Sequence, residues 1–163
     1  EEEGEEEEGP KLPTIKDVQQ TLAQGEQFHN IERVTKVKAL LRRRLQEAEA
    51  WEDKAKGFLA TRTCTRKSSS TNAGRVSLNM LQRLRSETRK IKLHLDSLAA
   101  VESVLEEAEA WQAKARAVLD EEADMTSAVL AEVLEESNVI GLVMPEIAEV
   151  TKALAEARWR EKA

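Results

Sequence analysis

Few residues of this chain could do chemistry, and the most suggestive stand in "HLD", His94 to Asp96. A histidine and a carboxylate two positions apart, joined by a second histidine, are the types that hold Fe(II) in a two-histidine, one-carboxylate centre. The only other histidine, His29, lies far upstream. The apolar spacing around "HLD" predicts a helix, in which residues i and i+2 point about 200° apart. His94 and Asp96 are therefore expected on a helix surface and not around a metal. Zinc is a poorer fit still, since one cysteine and two histidines cannot supply four ligands in the usual pattern. The six glycines are scattered, so no loop is built to cradle phosphate. The serines of "RKSSS" have no histidine placed to activate them. They could accept phosphate, but a solvated loop is the plainer reading. No catalytic, cofactor-binding or metal-binding residue is expected.

Charge is the next resource. Residues 1–30 carry −7, residues 31–92 carry +11 and residues 93–163 carry −10, within a net charge of −6. The basic block includes Arg42, Arg43 and Arg44, then Arg62, Arg66, Lys67, Arg75, Arg83 and Arg85, then Arg89, Lys90 and Lys92. Clustered Lys and Arg can neutralise phosphates without reading sequence, which makes Arg62, Arg66, Lys67, Arg75, Arg83 and Arg85 candidate DNA contacts. Pairing of this basic layer with the acidic one that follows is the plainer account, because no aromatic residue is interleaved with it.

A third pattern concerns packing. Three tryptophans occur, in "LQEAEAWEDKA", "LEEAEAWQAKA" and "EARWREKA". Each is followed by Lys at i+3 and Ala at i+4: Trp51 with Ala55, Trp111 with Ala115, Trp159 with Ala163. On a helix i and i+4 share a face, so a large ring stands above a small hole where another helix can approach. The lysine stem can cover the ring while its head reaches water. All three tryptophans are expected to be buried packing anchors at helix crossings. The interval between the first two suggests a repeated helical unit, which the shorter gap to Trp159 makes less regular.

The elements that must position these residues are helical. Charged residues make up 34% of the chain and aromatics 3%, a composition of long helices. Residues 1–10 are an acidic run with little to bury, expected as a disordered linker. Residues 11–163 then form one helical module. Thr14 can cap a short helix over about 14–24, with Asp17 completing an imperfect capping box. Val34, Val37, Leu41, Leu45, Ala48, Trp51, Ala55 and Phe58 step by 3 and 4, predicting a long helix over about 31–62. Residues 63–75 read as a loop. Apolar steps resume through Leu78, Leu81, Leu84, Ile91, Leu95, Leu98, Val101 and Leu105, with no Gly or Pro to interrupt them. One helix over about 76–122 is expected, its weakest point near Ser86–Thr88, folding back on the first as an antiparallel hairpin. Shorter helices are expected over 125–136 and 146–163. Between them "ESNVIGLVMPE" should run extended, because proline disfavours a helical Met144. The fold class is all-α: an elongated long-helix hairpin with short flanking helices. No apolar run approaches the length of a membrane span. No signal peptide is evident, and the lone Cys64 fits a reducing compartment. A chain that opens without methionine and stops in a helical pattern is expected to be part of something larger.

"LEESNVIGLVMPEIAEVTKALAEARWREKA", with its upstream variants "LQEAEAWEDKAKGFL" and "LEEAEAWQAKARAVL" and the opening "LPTIKDVQQTLAQGEQF", resembles the PLU-one-like helical region of the JARID-group JmjC histone lysine demethylases. The resemblance covers most of residues 11–163. It implies a nuclear parent enzyme that uses Fe(II) and 2-oxoglutarate to demethylate histone H3. It implies no catalytic part for this segment, which would be a helical scaffold contacting other domains of its parent chain; a further contact with DNA or nucleosomes rests on the basic block alone. The alternative is a spectrin-like cytoskeletal or adaptor bundle, which also places tryptophans in helices. Spectrin-type units are three similar long helices, whereas here short helices and an extended, proline-containing stretch intervene.

Overall fold

Thr14 starts the first helix. Its Oγ accepts a hydrogen bond from the Asp17 backbone N–H at 3.2 Å, and its own N–H donates to Asp17 Oδ2 at 2.9 Å. The capping box is thus complete with Asp in place of the usual Glu. The hydrogen bonds from Thr14, backbone first and hydroxyl second, hold the Asp17 carboxyl below the usual carboxylate range. The helix so started, α1, spans Ile15–Gly25 and passes into a single 3-10 turn, Glu26–Phe28.

The computed structural model describes residues 11–28, 31–65, 76–120 and 126–162. The acidic run 1–10 and residues 66–75 of the expected loop lie outside these. After α1 come α2 (Glu32–Thr65), α3 (Leu78–Ile91), α4 (Leu98–Asp120), α5 (Ser127–Ile140) and α6 (Glu146–Lys162). Residues 63–65, expected in the loop, continue α2 instead. The described residues contain no named strand, so the fold is all-α. The chain divides into two compact units: Glu1–Asp53 with Thr88–Asp96, and Lys54–Glu87 with Ser97–Ala163.

The expected single helix over 76–122 is two helices, α3 and α4, separated by residues 92–97. The break is not at Ser86–Thr88, which are helical. Lys92 follows α3 with a positive φ of 52°, a left-handed conformation that more often falls to glycine. Beyond it Leu93 and Leu95 are buried, and Ile91 before it is buried too. This is the period of 2 that belongs to extended chain. The helix-like steps Ile91, Leu95, Leu98 concealed it.

The same device recurs after α5. The short helix expected to end at residue 136 runs four residues further, to Ile140, so the extended stretch begins later than proline alone suggested. Gly141 caps the helix in the left-handed conformation, with φ 72°, its N–H donating to the Ser137 carbonyl at 3.0 Å. Ile140, Leu142 and Met144 are buried, alternating as Ile91, Leu93 and Leu95 do.

Each extended stretch pairs with the start of an earlier helix inside its own unit. In the first unit His94 N–H donates to the Pro13 carbonyl at 2.9 Å, in a parallel bridge between Thr14 and His94. In the second, Val143 N–H donates to the Val76 carbonyl at 2.9 Å and Leu78 N–H donates to the Val143 carbonyl at 3.2 Å, bridging Ser77 and Val143. Both bridges satisfy backbone groups that a buried extended segment would otherwise leave without partners.

The core of the second unit is built where α4, α5 and α6 pack on one another. Leu105, Leu130, Val101, Val133 and Val150 are its largest wholly buried aliphatic side chains besides Leu81 of α3. The first unit buries Val18, Ala48, Trp51, Ile91, Leu93 and Leu95.

Candidate functional site

Trp51 is 1% exposed, and Ala48 and Ala55 on either side of it are wholly buried. Trp111 is 3% exposed, again between wholly buried alanines, Ala108 and Ala115. Its indole Nε1–H donates to the Val133 carbonyl of α5 at 2.8 Å, so the ring both fills space and satisfies its one polar atom. Trp159 departs from the expectation: it is 72% exposed. Ala163 lies outside the described residues.

The physical reason is register. Trp51 and Trp111 each follow a buried alanine by three residues, whereas Trp159 follows the buried Ala157 by two. One residue is about 100° of helix rotation. The buried stripe of α6 is Val150, Leu154 and Ala157, and Trp159, nine residues or about 180° on from Val150, falls on the opposite side. Matching the phrases on the Lys and Ala that follow each tryptophan concealed the slip; the apolar steps that precede it carry the signal.

Polar contacts fasten the same helices. The Glu146 carboxylate at the start of α6 is buried, accepting from Gln112 Nε2 at 2.8 Å and from Arg116 at 2.6 Å, both on α4. Burial alone would push this carboxyl up. The hydrogen bonds from Gln112 and Arg116 and the guanidinium charge outweigh it, leaving Glu146 below the usual carboxylate range. Lys114 of α4 meets Glu136 of α5 at 2.6 Å, and that hydrogen bond raises the lysine. Glu161 of α6 accepts from the hydroxyl and the backbone N–H of Ser127, which hold it below the usual range.

Of the candidate DNA residues, Arg62, Arg83 and Arg85 are among the described ones. The Arg62 side chain is mostly buried and lies 3.7 Å from Glu107 of α4. Arg85 lies 3.6 Å from Glu102, also on α4. Arg83 is exposed. Arg66, Lys67 and Arg75 lie outside the described residues. Lys54 and Glu87 add a pair at 3.7 Å. Within the second unit, then, Arg62 of α2 and Arg85 of α3 lie beside acids of α4, and Lys54 of α2 lies beside Glu87 of α3.

His94 and Asp96 are not on a helix. His94 stands on the extended stretch after α3 and Asp96 in the turn that leads to α4, with His94 Nε2 3.7 Å from Asp96 Oδ1. Helix geometry therefore does not separate them. Among the described residues, no group of three or more His, Cys, Asp or Glu could hold a metal ion. Nor, among them, is any helix long and apolar enough to cross a membrane.

A protein-family model described as PLU-1-like protein matches residues 7–163. No curated protein sequence and no solved structure matches the chain.

Proposed function

The chain belongs to the PLU-1-like protein family, and from that premise we propose that it is a non-catalytic helical scaffold segment of a nuclear histone H3 lysine demethylase. The observation that carries this reading is the family match across nearly the whole chain, 7–163. The burial of Trp51 and Trp111 at alanine-flanked positions supports it, because it commits the strongest side chains to packing. Fe(II) and 2-oxoglutarate would belong to the catalytic part of the parent enzyme. Among the described residues, His94 and Asp96 are joined by no third His, Cys, Asp or Glu that could complete a metal site.

The scaffold would position other domains of the parent chain. A secondary, sequence-indifferent contact with DNA would use Arg66, Lys67, Arg75 and the exposed Arg83, because Arg62 and Arg85 already face acids.

Two measurements test this. In the parent enzyme, Trp111→Ala should impair demethylation of nucleosomes more than of histone peptides; equal loss on both substrates would count against a scaffold role. For DNA, the triple change of Arg66, Lys67 and Arg75 to Ala should weaken binding to all duplexes alike and flatten its salt dependence. Absence of binding by the unaltered chain at low salt would remove the DNA role.

A further inference from the structure

Most of the large exposed apolar side chains of the first unit fall in one stretch of the chain, between Phe28 and Leu40. Phe28, Ile31, Val37 and Leu40 are each at least half exposed, at 50%, 51%, 54% and 52%. They follow α1 in the chain and run into the first turns of α2, where Val37 also lines a groove. Between the two helices runs a groove of about 240 Å³ whose walls include Leu22, Val34, Val37 and Leu41, with Arg33 and Lys38 at its rim. Further along α2 the same apolar stripe is covered, at Ala48 and Trp51.

Charge selects what would fit. The nearby acids are taken up: Glu26 lies 3.4 Å from Arg42, and Glu32 lies 2.7 Å from Lys36. Arg33, Lys38 and Arg44 make no such ion pair among the described residues. Arg33 precedes Val37 by four residues and Arg44 follows it by seven, so both share its face of α2. We propose that this groove docks an amphipathic helix with acidic flanks from a partner protein. Its apolar residues would enter between α1 and α2, and its carboxylates would meet Arg33, Lys38 and Arg44. A second copy of this chain fits less well, because a two-fold pairing would set the same basic rim against itself. Duplex DNA would use the cations but leave the apolar stripe in water. The chain's own acidic run, residues 1–8, has charge but no apolar anchor.

The test uses the full chain and a labelled synthetic peptide of about 18 residues, long enough to form a helix on binding. The peptide carries Leu at helical spacing and Glu elsewhere; a second peptide replaces every Glu by Lys. Fluorescence anisotropy should show the Glu peptide binding and the Lys peptide binding at least about tenfold more weakly. Val37→Asp should weaken the Glu peptide at least about tenfold. The double change Arg33→Glu with Lys38→Glu should lose the Glu peptide and gain the Lys peptide, a reversal that misfolding cannot produce. Equal binding by Val37→Asp, equal binding of both peptides, or no binding of the Glu peptide would overturn the proposal. A concentration-dependent dimer abolished by Val37→Asp would also overturn it, assigning the face to a second copy.

Discussion

Lys92 and Gly141 hold the same local place: each follows the last residue of a short helix, with φ of 52° and 72°, and each stands two residues before the N–H that makes a parallel bridge. Substitutions at the two should act in opposite directions. Lys92→Gly removes a left-handed penalty of about 1–2 kcal/mol and incurs about 0.5–1 kcal/mol of backbone entropy, so a small gain in stability is expected. Gly141→Ala should cost about 1–3 kcal/mol. Its new Cβ would also lie 3.1 Å from the Arg62 carbonyl oxygen. Thermal or denaturant unfolding of the two variants checks the signs.

Trp111→Ala should cost about 3–5 kcal/mol, because it empties a packed site. Trp111→Phe keeps most of the packing and loses the hydrogen bond to Val133, at a cost of about 1 kcal/mol. Trp159→Ala should change stability by less than about 0.5 kcal/mol, as exposed substitutions usually do. Comparable losses for Trp111→Ala and Trp159→Ala would contradict the register argument.

Glu146 makes stability depend on pH. Its folded carboxyl lies below the ordinary range, so the folded state favours the charged form. That contribution is fully present above the unfolded value and is lost as pH falls through the lower, folded one. Glu146→Gln should cost about 1.5–3 kcal/mol at neutral pH, the range for hydrogen bonds to charged groups. Unfolding measured from neutral pH into the acid range should show the two proteins converging as the carboxylate is protonated.

Gly57 lies exposed within α2, and a Cβ there would meet nothing within 4 Å. Gly57→Ala should therefore stabilise the chain by about 0.4–1 kcal/mol, chiefly by restricting the unfolded chain. Denaturant titration should show a raised midpoint with an unchanged slope.

Local patterns in the sequence determined a good deal. Steps of 3 and 4 marked the helices, Thr14 and Asp17 marked the start of α1, and the alanines around Trp51 and Trp111 marked close packing. The resemblance carried by the tryptophan phrases pointed to the family whose model matches residues 7–163. Tertiary structure decided the rest. Whether Ile91, Leu93 and Leu95 lie on a helix or an extended chain cannot be read from steps that satisfy both periods; the bridge from His94 to Pro13, far up the chain, selects the extended form. Trp159 shares a phrase with two buried tryptophans, yet the stripe of Val150, Leu154 and Ala157 sets which side of α6 is covered. In the first case distant packing chose between local conformations of similar energy, a choice not written in any short stretch of residues; in the second it chose which face of one helix is covered, a choice that the apolar steps before Trp159 do carry.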